Sequence, residues 1–108
     1  MEQTSPAVSL AQMNLRSLPK IELHLHLDCS LSYQAVSALA PSVTPEEYQR
    51  EYIAPARCAN LADFLSRAPM GFRLMQTEDS LRLVTEDVFR QLVEDGVIYA
   101  EILSLIHI

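Results

Sequence analysis

The chain has 108 residues, 49% of them apolar, with 2 glycines, 6 prolines and a formal net charge of −6. That composition suits one packed core and excludes a low-complexity or disordered chain. An acidic balance spread along the sequence, without a basic face, argues against nucleic-acid binding.

The two cysteines, Cys29 and Cys58, are far apart and form no Cys-x-x-Cys pair. No disulfide framework is indicated, and a reducing compartment is expected. The first twenty residues contain no apolar run of the kind a secretory signal needs. No apolar run reaches the roughly 18–20 residues that span a bilayer. The expectation is a soluble cytoplasmic protein with no membrane partner.

In chain order, residues 1–17 show no clear period and read as a lead-in. Ile21-Glu22-Leu23-His24-Leu25-His26-Leu27-Asp28 then alternates strictly. Successive side chains of a strand point to opposite faces. The pattern predicts a strand with Ile21, Leu23, Leu25 and Leu27 on one face and Glu22, His24, His26 and Asp28 on the other. Ser30 is the expected cap of a short helix carrying Tyr33, Val36 and Leu39, which Pro41 ends. Thr44-Pro45-Glu46-Glu47 reads as a helix start, with a cap, a proline in the first turn and two acids near the positive end of the dipole. Pro55 stops that segment. Asn60 is expected to cap a helix from Leu61 to about Ala68, ended by Pro69-Met70-Gly71.

Thr77 introduces the clearest helix. Leu81, Val84, Val88 and Leu92 recur at helical spacing, Phe89 widens the apolar stripe, and Asp95-Gly96 closes it with glycine at the left-handed position. Val97 to Leu103 follows as a second strand, mostly apolar, as expected for one covered on both faces. There is no internal repeat. Two strands joined by helices imply a parallel α/β sheet. A closed (β/α)8 barrel needs about 250 residues, so the chain reads as the opening third of such a barrel.

His24-x-His26 carries the chemistry. Two residues apart on a strand place both imidazoles on one face, with Cα atoms about 6.5–7 Å apart. Both can then reach one ion, and imidazole is a common zinc ligand. Asp28 continues that face towards the strand's C-terminal end, where active sites of α/β barrels collect. A half-exposed antiparallel strand would show the same alternation with its polar face in water. The surrounding α/β pattern, and the cost of burying four ionisable groups without partners, weigh towards the metal reading.

Leu18-Pro19-Lys20-Ile21-Glu22-Leu23-His24-Leu25-His26-Leu27-Asp28 resembles the Leu-Pro-Lys-x-Glu-Leu-His-x-His-Leu-Asp opening of the adenosine deaminase family, metal-dependent amidohydrolases. Leu61-Ala62-Asp63-Phe64-Leu65 is similar to the family's Leu-x-x-Phe-Leu helix, and Gly96 to Ile102 to its second barrel strand. The resemblance covers residues 18–102, which it assigns to the N-terminal part of a TIM-barrel domain. It implies zinc-dependent hydrolytic deamination of adenosine or deoxyadenosine to inosine and ammonia, with adenine or AMP as alternative substrates. It implies His24 and His26 as two zinc ligands and Asp28 as a group that hydrogen-bonds the ribose end of a purine nucleoside. It also implies Leu61, Phe64 and Leu65 as part of an apolar gate, although plain core packing would explain that helix as well. Glu22 and Glu101 are assigned no chemistry.

Three departures qualify the resemblance. Cys29 stands where these enzymes commonly carry glycine; on a continuing strand it would point away from the histidines. The family's later metal histidine, metal aspartate, catalytic glutamate and second catalytic histidine have no counterpart here, and His107 falls too early in barrel order to replace them. A catalytic zinc needs three protein ligands, so no catalytic residue is assigned, and a non-catalytic fragment is the alternative for this chain alone. Finally, the family's second strand continues Glu-x-Arg-aromatic, whereas this chain reads Glu101-Ile102-Leu103-Ser104. Residues 103–108 are expected to be a non-native tail, as a truncated or misassembled reading frame would produce. The sequence carries no signal for oligomeric state.

Overall fold

One long helix returns the chain beside its first strand, and this makes the two strands parallel neighbours. The computed structural model describes residues 14–104. The element order is β1 (Lys20–His26), α1 (Tyr33–Leu39), α2 (Pro45–Glu51), α3 (Leu61–Leu65), α4 (Ala68–Leu74), α5 (Glu78–Glu94) and β2 (Val97–Leu103), with single 3-10 turns at Leu15–Ser17 and Leu27–Cys29. β1 and β2 form a two-stranded parallel sheet. The fold is therefore mixed α/β, as the alternation of strands and helices implied. Most of the expected lead-in, and residues 105–108 of the expected tail, lie outside the described residues; Leu103 is the last residue of β2 and pairs with His26.

The helices begin where short polar side chains can hold free backbone N–H groups. Thr44 accepts from the Glu47 amide at 3.1 Å and Asn60 from the Asp63 amide at 2.8 Å. Thr77 and Ser80 form a reciprocal capping box at the start of α5. Just past the end of α5 stands Gly96, whose φ of +77° is a conformation that side chains with a Cβ rarely adopt. Lys20 at the start of β1 reaches across to Asp95, donating to its carbonyl and lying 3.3 Å from its carboxylate.

The core lies where α1, α2, α4 and α5 meet the turn after β1. Val36, Val84, Val88 and Met75 are fully enclosed, with Leu27, Leu31 and Tyr48 around them. On α5 the residues expected inward behave so: Val84 and Val88 are buried, and Leu81 and Leu92 pack against the same cluster.

Several expectations need correction. The cap of α1 is Ser32, not Ser30, because Ser32 Oγ accepts from the Ala35 amide at 3.1 Å. Pro69-Met70-Gly71 does not end a helix; it lies inside α4, with Pro69 in the first turn, where the missing N–H costs nothing. Phe89 is 54% exposed and does not widen the inner stripe of α5.

β1 is also shorter than expected. It ends at His26, and Leu27-Asp28-Cys29 turn away in a 3-10 loop closed by the Ser30 amide on the Leu27 carbonyl at 3.2 Å. Nor does its alternation survive intact. The pairing with β2 is irregular between Glu22 and Leu25. Both of those residues, three positions apart, line one cavity of about 400 Å³ beside α5, with Arg16, Val88 and Leu92. Strict alternation would put them on opposite faces. Ile21 and Leu23, from the apolar face of the predicted strand, are both 61% exposed, and Ile98 and Tyr99 of β2 are exposed as well. β2 is thus not covered on both faces.

Candidate metal and substrate site

β1 delivers two imidazoles to one place at its C-terminal end. His24 and His26 bring their Nε2 atoms to 3.0 Å, with ring centroids 4.8 Å apart and planes inclined at 59°. Two nitrogens bound to one tetrahedral zinc lie about 3.3 Å apart, given Zn–N bonds of about 2.0–2.1 Å. The pair is within a few tenths of an ångström of that separation, so the donor set fits a metal with little movement. It supplies two ligands only: no group of three or more His, Cys, Asp or Glu among the described residues could hold a metal ion.

The loop after β1 is tied back to it. Ser30 Oγ donates to the His26 carbonyl, and Gln91 of α5 donates to the Ser30 carbonyl at 2.8 Å. Asp28 sits in that loop, buried at 5% exposure rather than on a strand face. One carboxylate oxygen, Oδ1, is buried without a hydrogen-bond partner. A carboxylate in that condition is costly unless something completes it.

Cys29 lies in the same loop and is exposed. Since β1 has already ended, the expectation drawn from a continuing strand does not apply to it. Desolvation of its thiol, and then the charge of Asp28, push it above the ordinary cysteine range.

The residues of the expected gate lie on α3 and are open to solvent: Leu61 is 70%, Phe64 54% and Leu65 49% exposed. Core packing therefore does not explain them. Arg67 joins α3 to α4 by donating to the Asp63 carbonyl at 3.0 Å. Glu101 is exposed and accepts from the Tyr99 hydroxyl at 3.0 Å. Glu22 lines the cavity beside α5, and none of His24, His26 and Asp28 lines that cavity.

Sequence reasoning missed two contributors. Ser30, placed by its sequence position as a helix cap, instead bonds the His26 carbonyl and holds the end of β1. Gly71 packs against the Asp28 loop, and its signal is a glycine one turn inside a helix with proline in its first turn.

Fold and site together define a parallel α/β chain that presents a two-imidazole donor set at the end of a strand. The profile of the Adenosine deaminase family matches residues 19–104. Among curated proteins, the chain is 40% identical over 100 residues to an adenosine deaminase of Streptococcus agalactiae, covering 86% of this chain and 29% of that protein. It is 36% identical over 97 residues to that of Shewanella pealeana and 35% over 99 residues to that of Enterococcus faecalis, covering 83% and 86% of this chain and 29% of each relative. No solved structure matches it. The chain belongs to the adenosine deaminase family. It spans less than a third of the length of these relatives.

Proposed function

We propose that this chain supplies the first two strands, and part of the metal and substrate site, of a zinc-dependent purine-nucleoside deaminase built on a (β/α)8 barrel. Residues 18–102 form that portion of the barrel, and the substrate is adenosine or deoxyadenosine. His24 and His26 hold the metal through Nε2. A zinc ion bound there supplies the Lewis acidity that activates water at neutral pH. Asp28 accepts a hydrogen bond from the ribose end of the nucleoside, and Leu61, Phe64 and Leu65 shield the purine from bulk water. The protein works in the cytoplasm, where its two free cysteines stay reduced.

The observation that carries this reading is the 3.0 Å convergence of the two imidazoles. Two ligands do not complete a catalytic zinc site, so the 108-residue chain alone binds the metal without turning over substrate. The test is zinc titration followed by a deamination assay on the purified chain with adenosine, adenine and AMP. The expected result is one zinc bound per chain, lost in His24→Ala and His26→Ala, with no ammonia released from any substrate. Zinc binding that survives both substitutions would overturn the metal role. Zinc-dependent release of ammonia would overturn the incompleteness of the site.

A further inference from the structure

We propose that Gly71 is a positioning residue for Asp28, the seat on which the α3–α4 pair rests against the site loop. The proposal rests on the reading of Asp28 as a substrate-facing group and extends it to what holds that group in place. Gly71 is buried on α4. A methyl group built at this position would overlap the Asp28 carbonyl oxygen, lie 3.2 Å from the Asp28 carbonyl carbon and 3.1 Å from Leu31 Cδ1. The Asp28 carbonyl is backbone, inside a 3-10 turn whose next residue, Ser30, is bonded to the end of β1. Such an obstacle cannot swing aside as a flexible side chain can, so any Cβ must move the loop or the helix.

The contact matters for function because of what lies at each end of it. On one side is a buried carboxylate with an unpartnered oxygen. On the other, α4 follows α3 after two residues and is held to it by Arg67. α3 carries the exposed Leu61, Phe64 and Leu65. A bare backbone at 71 lets this helical pair sit directly on the loop. The position of Asp28 and the position of the apolar helix are then set by one contact.

The test compares Gly71→Ala with Val84→Ala, a core truncation on α5, in a chain carrying Cys58→Ser so that Cys29 is the sole thiol. Both variants are expected to unfold at lower urea. Only Gly71→Ala is expected to move the backbone-carbonyl and carboxyl carbon resonances of Asp28 and to raise the rate at which iodoacetamide alkylates Cys29, by about threefold or more, as the loop lifts off α4. Unmoved Asp28 resonances and an unchanged alkylation rate in folded Gly71→Ala would overturn the proposal. Should that variant fail to fold, the unsubstituted chain decides. A nuclear Overhauser contact between the Gly71 α-protons and the Leu31 methyls supports the seat, and its absence removes it. Zinc titration of the unsubstituted chain, read on the ring protons of His24 and His26, separately tests the underlying site, since its failure leaves the Gly71 result standing.

Discussion

The carboxylate of Asp87, in the middle of α5, accepts both the amide and the hydroxyl of Ser32, at 3.1 and 2.7 Å. Ser32 is the cap of α1, so one buried acid fastens the two helices that flank the core. Gln91, one turn on, donates to Asp87 at 2.9 Å and also to the Ser30 carbonyl. Ser30 in turn holds the end of β1. The network therefore runs from the helical core to the loop after His26.

Removing Asp87 takes away the partner of two half-buried donors, the amide and hydroxyl of Ser32. Asp87→Ala is expected to lower the unfolding free energy by about 2–3 kcal/mol. Urea denaturation of Asp87→Ala, Ser32→Ala and the double variant checks this. A double variant no worse than Asp87→Ala would show that the two residues act as a pair. Full additivity would mean that Ser32 caps α1 without help from α5.

Tyr48 gives an alkaline limit to the fold. Its ring is 8% exposed, its hydroxyl donates to the Leu31 carbonyl at 2.7 Å, and Tyr33 and Tyr52 pack around it. Burial, and then the charge of Asp87, raise this tyrosine above its ordinary value. A folded-state pKa above the unfolded one means that the folded chain holds the proton more tightly. The associated stability is complete below the unfolded tyrosine value of about 10 and is lost as pH rises through the folded value. Urea midpoints measured from neutral pH upward are expected to fall above that point. Tyr48→Phe is expected to flatten the fall while costing about 1 kcal/mol at neutral pH for the unpaired Leu31 carbonyl. An equally steep fall in Tyr48→Phe would assign the alkaline limit to another group.

Much of this fold was legible because its signals are local. Thr44, Asn60 and Thr77 cap helices as their positions suggested, and β2 occupies the predicted residues. The His24-x-His26 pair converged as the period of a strand requires. What the sequence concealed depends on neighbours far along the chain. The faces of β1 were misassigned because its irregular pairing with β2 brings Glu22 and Leu25 to one cavity. Asp28 continues the strand period in sequence, yet the chain turns at Leu27, and Gly71, more than forty residues later, packs against the Asp28 carbonyl. No period of two or of 3.6 encodes a contact of that kind.

Gly96 turns α5 into β2 under two constraints at once. Its φ is +77°, and a methyl group there would lie 2.8 Å from the Arg16 carbonyl oxygen and 2.9 Å from that of Leu18. Both oxygens belong to the segment leading into β1. Gly96→Ala is expected to cost about 2 kcal/mol, beyond the usual cost of alanine at positive φ, because the two strands must also part. Thermal or urea unfolding measures it. Asn tolerates the left-handed region better than Ala, so Gly96→Asn distinguishes the two constraints. If Asn restores the stability, the dihedral dominates; if it does not, the close approach of the lead-in does.

Zinc should stabilise this chain only to the extent that the histidine pair exists before the metal arrives. A ligand that binds the folded state alone adds RT ln(1 + [L]/Kd), about 2.7 kcal/mol at a hundredfold excess over Kd. The 3.0 Å approach of the two Nε2 atoms argues for such a preformed pair. Urea midpoints are therefore expected to rise with added Zn²⁺, to return on chelation, and to stay unmoved in His24→Ala or His26→Ala. The alternative is informative in its own right. An unfolded chain can also bind zinc through histidines and thiols, and equal binding to both states cancels the effect. Zinc bound without a shift in midpoint would mean that β1 does not hold the imidazoles of His24 and His26 in place before the metal arrives.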